Sequence, residues 1–175
     1  MLLGIEHIFT DYDHILFLIS LLIMGDGLNY LFKVVTAFTL SHSVTLALAV
    51  LNIVTLPVRL VDSAIALTII YVASENLWRK NLQWRWLLTF CFVLIHGLGF
   101  AGILKRINIA RSNLALSLVN FNVGVEIGQV IIVAGAFFLL RNLHRYSWEL
   151  TFRRLVSACI VAIGLFWFVQ RAFLA

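Results

Sequence analysis

The chain has 175 residues, 62% of them hydrophobic and only 12% charged, with a mean hydropathy of +1.02. A soluble domain carries about twice that fraction of charge. The composition therefore excludes an ordinary soluble enzyme and reads as an integral membrane protein, one transmembrane domain over 1–175.

The net charge of +5 does not point to nucleic acid. The Lys and Arg residues fall at the ends of apolar segments, where such side chains anchor helices to headgroups. The first residues, Met1 to Phe9, lack a basic leader and carry an early acid, unlike a cleavable signal peptide. Cys91 and Cys159 lie inside apolar runs and read as small hydrophobes rather than a disulfide.

Apolar runs separated by polar breaks predict an all-α, six-helix transmembrane bundle with helices near 4–24, 31–52, 60–77, 86–104, 114–139 and 154–173. The breaks are Gly25-Asp26-Gly27, Pro57 with Arg59, Arg79-Lys80, Lys105-Arg106 with Arg111, and Arg141 to Arg154. Lys and Arg divide eight to five between the two sides, which favours both termini on the outer face. Tyr30, Trp78, Trp84, Trp86, Tyr146 and Trp148 gather on the richer side, as one half of an aromatic belt does.

The first predicted helix carries His7, Asp11, Asp13 and His14. At 100° per residue, His7, Asp11 and His14 share a face, and Asp13 points about a quarter turn away. His7 is expected near the headgroups and His14 near midplane, a ladder suited to stepwise cation entry. The bland alternative is an interfacial N-terminus with solvated His7 and Asp11.

The second carries Thr39, Ser41, His42, Ser43 and Thr45. Hydroxyls on a membrane helix commonly bond back to a carbonyl one turn away. A buried imidazole has no such outlet and needs partners for both nitrogens. The third has Asp62 near one end and Glu75-Asn76 near the other. They are expected to mark the two mouths of a path, or else to be helix-end charges, with Arg79 placed to pair with Glu75.

The fourth carries His96 before Gly97-Leu98-Gly99-Phe100-Ala101-Gly102. That string matches a dinucleotide-binding fingerprint by letter only, since no βαβ context surrounds it. Its glycines instead allow close helix approach. The fifth has Asn122, Glu126 and Gln129 on one face, with Gly124 and Gly128 as a small-residue pair. The sixth is almost wholly apolar, ends at Arg171 and reads as scaffold.

His14, His42, His96 and Glu126 each fall near the middle of a predicted span, about 15 Å deep at 1.5 Å per residue. Ionisable groups at that depth are costly and mark sites or pathways. Imidazole with carboxylate suits a divalent transition metal, Ni, Co or Zn, better than Mg or Ca. The expected metal site is therefore His14, His42, His96, Glu126 and Asp13, with His7, Asp11, Asp62, Glu75, Asn76 and Asn122 along the entry and exit path. The competing reading is a hydrogen-bonded His/Glu core with no metal.

The motifs His7-x5-Asp13-His14, Phe38-Thr39-Leu40-Ser41-His42-Ser43, Ala73-Ser74-Glu75-Asn76, Ile95-His96-Gly97 and Phe121-Asn122-Val123-Gly124-Val125-Glu126 resemble the HupE/UreJ family of bacterial membrane proteins over about residues 4–130. The resemblance implies a nickel or cobalt permease of the bacterial inner membrane, with His7, Asp13 and His14 as its metal-binding element. Asp11 stands where a small residue is expected, and Asp62 where a glutamate is usual.

Together these features read as a divalent-metal transporter rather than an enzyme. Its partners are a metal ion and the lipid bilayer, with homo-oligomer formation left open. Two rivals stand beside it. One is an intramembrane zinc-type hydrolase using three histidines and an acid, with Ser41 and Ser43 nearby. The other is a metal-binding accessory or sensor protein with no flux.

Overall fold

The computed structural model describes residues 1–25, 27–78, 84–106, 114–143 and 145–174, with side chains left out for 100–106, 114 and 115. Asp26, Arg79, Lys80 and Arg111 lie outside the described residues. So do the side chains of Lys105 and Arg106.

Every regular element among the described residues is helical. They are α1 (Leu2–Thr10), α2 (Tyr12–Leu22), α3 (Leu28–Val50), α4 (Val58–Trp78), α5 (Arg85–Arg106), α6 (Leu114–Leu143) and α7 (Glu149–Val169), and α7 passes into a π-helical turn at Gln170–Leu174. Four stretches are long and apolar enough to cross a bilayer: Leu28–Val50, Val58–Trp78, Leu116–Leu143 and Glu149–Leu174. The protein is therefore an integral membrane protein.

The single helix expected over 4–24 is instead two short ones. Asp11 breaks it, with φ −87° and ψ 95° in the extended region. Its backbone N–H closes α1 on the His7 carbonyl at 2.9 Å. Its Oδ1 accepts from the Asp13 backbone N–H at 3.1 Å and so caps α2. A short acidic side chain that bonds to nearby backbone N–H groups competes with helix continuation. Neither α1 nor α2, at 9 and 11 residues, reaches the roughly 20 residues needed to span alone. Broken helices are tolerated at membrane depth where they are buried in protein or line a cavity.

Glycines seat α1 in a groove on α6. A Cβ on Gly4 would lie 2.1 Å from the Phe121 carbonyl oxygen, and one on Gly124 would lie 2.0 Å from the Met1 carbonyl oxygen. A Cβ on Gly128 would meet Ile8 Cγ2 at 2.2 Å. The two backbones are thus in direct contact, the use that small residues serve in membrane helices. Gly97 does the same for α5 against α3, since its Cβ would fall 2.9 Å from Thr45 Cβ and 3.1 Å from the His42 carbonyl oxygen.

Elsewhere α4 packs on α7 and on α2. The main apolar core draws on all these helices through residues such as Ile8, Phe17, Phe38, Ile69, Val93, Val125 and Ile160. Cys91 and Cys159 are free and exposed on helix surfaces.

Candidate metal centre

Four imidazoles meet inside the bundle, one each from α1, α2, α3 and α5. His7, His14, His42 and His96 are 6%, 2%, 0% and 0% exposed. Ring centroids are 4.9 Å apart for His7 and His14, 5.9 Å for His7 and His42, 5.6 Å for His14 and His42, and 5.1 Å for His14 and His96. His7, His14 and His42 each offer a ring nitrogen, all within 4.8 Å of one another. Two nitrogens bound to opposite sides of one ion at 2.0–2.1 Å are separated by about 4.2 Å. Small side-chain rotations therefore close this set on a single ion.

The rings are held by an aromatic cage. Phe38 stacks against His42 at 6.0 Å and 10°, and Phe121 faces the same imidazole at 6.3 Å and 21°. Phe17 lies 4.6 Å from His96. These walls are apolar and fix ring planes without satisfying ring nitrogens.

Hydrogen bonding leaves nitrogens turned inward. His96 Nδ1 lies 3.1 Å from the Phe92 carbonyl oxygen. A carbonyl only accepts, so Nδ1 carries the proton and Nε2 keeps its lone pair. Nε2 of His96 is buried without a partner. His14 Nδ1 lies 2.9 Å from Asp11 Oδ2, a close contact without the alignment of a hydrogen bond, and His14 Nε2 is buried and unpartnered. Neither nitrogen of His42 is in a well-formed hydrogen bond, and the Asn122 side chain stands next to that ring. Leaving a buried polar atom unsatisfied costs about 1–3 kcal/mol. An imidazole braced at Nδ1 with a bare Nε2 is the usual arrangement of a metal-ligating histidine.

The cluster opens on one side into a cavity of about 590 Å³ lined in part by Glu6, Thr10, Asp11, Asp13, Asp62 and Arg171, with His7, His14 and His96 at its inner end. Asp13 is not aimed at the imidazoles. Both its carboxylate oxygens accept from Arg171, at 3.0 and 3.1 Å. Arg171 also donates to the Asp62 backbone carbonyl at 3.2 Å. The sixth predicted helix is thus more than scaffold, because its last residues reach the cavity.

Several expected site residues lie elsewhere. Glu126 is exposed on α6, outside the histidine group. The groove that receives α1 turns Phe121, Val125 and Gln129 inward instead. His7, expected at the headgroups, is one of the four clustered rings, because the break at Asp11 re-aims α1. Asn122 donates to the Leu118 carbonyl at 3.0 Å.

Glu75 and Asn76 form a separate buried patch with Arg85, which lies 3.2 Å from Glu75 Oε2 and donates to Asn76 Oδ1 at 2.6 Å and to the Val72 carbonyl at 3.1 Å. Arg85 is therefore a buried partner of Glu75, not a headgroup anchor. Asn76 Nδ2 also donates to the Ser20 carbonyl at 2.8 Å.

The hydroxyls are occupied. Thr39, Ser43 and Thr45 each donate to a carbonyl one turn back. Ser41 crosses to the Phe90 carbonyl of α5 at 2.5 Å. Gln129, fully buried, sits 3.2 Å from Thr39 Oγ1.

No curated protein and no solved structure matches the chain. A family model described as HupE / UreJ protein matches residues 1–171. With that match spanning nearly its whole length, the chain belongs to the HupE / UreJ family.

Proposed function

We propose that this protein carries a divalent transition-metal ion, of the nickel or cobalt type, across the membrane by way of the four-histidine cluster. The observation that carries this reading is the set of bare, inward ring nitrogens on His14, His42 and His96 beside His7. Neutral imidazoles select borderline transition metals over hard cations. The acidic cavity draws the ion in, since clefts lined by one sign of charge concentrate the opposite one.

The order of events follows from the layout. A hydrated ion enters among Glu6, Asp11, Asp13 and Asp62, sheds water, and exchanges it for imidazole nitrogen. The break between α1 and α2 supports this role, because broken helices in transporters offer their ends to ions near midplane. Ser20, six residues beyond His14, puts the Glu75–Asn76–Arg85 patch about 9 Å further along α2. We read that buried patch as the closure of the far side, and exit requires it to part. We read its location as a bacterial inner membrane, which the resemblance to the family supports. The Lys and Arg excess favours both termini on the outer face.

Ser41 and Ser43 both donate to backbone carbonyls, so a hydrolase reading rests on metal-bound water alone. Uptake of nickel or cobalt into proteoliposomes tests the proposal. His14→Ala and His96→Ala each abolish uptake while the protein still inserts and folds. Uptake at the wild-type rate in both variants removes the mechanism.

A further inference from the structure

The guanidinium of Arg171 is turned into the cavity. It holds both oxygens of Asp13, donates to the Asp62 carbonyl, and its Cζ lies 5.1 Å from the centre of the Trp167 ring. Arginine suits this role because its planar fork matches a carboxylate and its face stacks on an aromatic ring. The side chain is about one-quarter exposed and Asp13 about one-sixth, so solvent screens the pair only in part.

We infer that Arg171 is a tethered competitor for the incoming metal: it neutralises Asp13 while the cavity is empty and yields that carboxylate when a divalent cation arrives. The inference rests on the transport reading above and adds the residue that sets how tightly the cavity takes its cargo. Asp13 and Arg171 line the same cavity as His7, His14 and His96. A cation that reaches the cluster through that cavity therefore passes the carboxylate that Arg171 holds. The ion brings two positive charges where the guanidinium held one, so the exchange favours the ion at a carboxylate-lined cavity.

The local backbone suits such an exchange. Arg171 belongs to the π-helical turn Gln170–Leu174. Single π turns are rare and recur at functional positions.

Titration calorimetry of the purified full-length chain in detergent, with cobalt or nickel ion alone, tests the assignment. Two cations that share one carboxylate are linked, so Arg171→Gln tightens metal binding on the order of tenfold. Asp13→Asn weakens it, and adding Arg171→Gln to Asp13→Asn gives no further gain. Arg171→Lys keeps the charge but loses the fork, and tightens binding by less. Thermal melts establish that each variant is folded.

If Arg171→Gln does not fold, Arg171→Lys carries the test, and binding no tighter than wild type overturns the inference. Equal or weaker binding by folded Arg171→Gln also overturns it, as does a gain that persists beside Asp13→Asn. The transport reading fails by a different result, wild-type affinity in His14→Ala and His96→Ala. That result leaves the comparison at Arg171 and Asp13 readable.

Discussion

His14 Nδ1 lies 2.9 Å from Asp11 Oδ2, three residues back across a helix break. One carboxylate group therefore does two things. Its Oδ1 caps α2 through the Asp13 backbone N–H, and its Oδ2 orients the His14 ring. A histidine so braced presents Nε2 to the cluster and is made a better donor to a metal.

The two duties of Asp11 separate by mutation. Asn caps helices about as well as Asp, so Asp11→Asn keeps the cap and removes the charge behind His14. Metal affinity falls by about 10- to 100-fold, with little change in melting temperature. Asp11→Ala loses the cap as well, at a further cost of about 1 kcal/mol. Calorimetry and thermal unfolding, run on both variants, check the pair of outcomes.

Binding depends on pH with a definite sign. Ligand histidines must be neutral, so protons compete with metal. Burial disfavours the charged imidazole, so the rings are already neutral at about pH 7 and proton competition sets in only well below the ordinary imidazole range. The absence of net proton release on metal binding near pH 7, measured calorimetrically in buffers of different ionisation enthalpy, checks this. Affinity that already falls between pH 7.5 and 5.5 contradicts it.

Glu126 is exposed on α6, away from the imidazoles. Glu126→Gln therefore leaves metal affinity within about twofold of wild type, inside the few tenths of a kcal/mol typical of surface changes. His96→Ala, by contrast, removes a ligand. A large loss in Glu126→Gln places the carboxylate in the site and contradicts the geometry.

Gly4 and Gly124 let α1 touch α6. Gly4→Ala forces a methyl group against the Phe121 carbonyl and costs about 1–3 kcal/mol as overpacking. Because α1 carries His7, metal affinity falls along with stability. Ala at Gly135, where a Cβ meets nothing within 4 Å, serves as the control and changes neither.

Arg85 is buried against Glu75 and Asn76. Removing one partner of a buried pair strands the other, at about 3–5 kcal/mol. Arg85→Ala lowers the thermal midpoint strongly, and Glu75→Gln with Arg85→Gln recovers part of the loss. Melting curves of the three proteins in one detergent decide it.

Much of this arrangement was legible in the chain, and the misreadings have physical causes. Midplane histidines on separate apolar segments stand out because hydrocarbon penalises them, and His14, His42 and His96 are in fact neighbours. The break at Asp11 was hidden because hydropathy averages over a window, and the apolar runs Ile8-Phe9 and Ile15 to Ile19 on either side outweigh the polar residues between them. Missing that break put His7 at the wrong depth.

Glu126 shows a phase problem. Residues 122, 126 and 129 do share a face, but each step along a helix turns 100°. The glycines that admit α1 turn residues 121, 125 and 129 inward. Arg171 was unreadable for another reason. Its partner Asp13 is 158 residues away, and no local pattern reports a contact of that range.

X-ray absorption spectroscopy on cobalt- or nickel-loaded protein tests the four-histidine site most directly, because it counts the atoms bound to the metal. The account predicts one ion per chain with at least three imidazole nitrogens at about 2.0–2.1 Å, a signal lost in His14→Ala. A first shell of water and carboxylate oxygen alone, or a spectrum unaltered by that substitution, would contradict it.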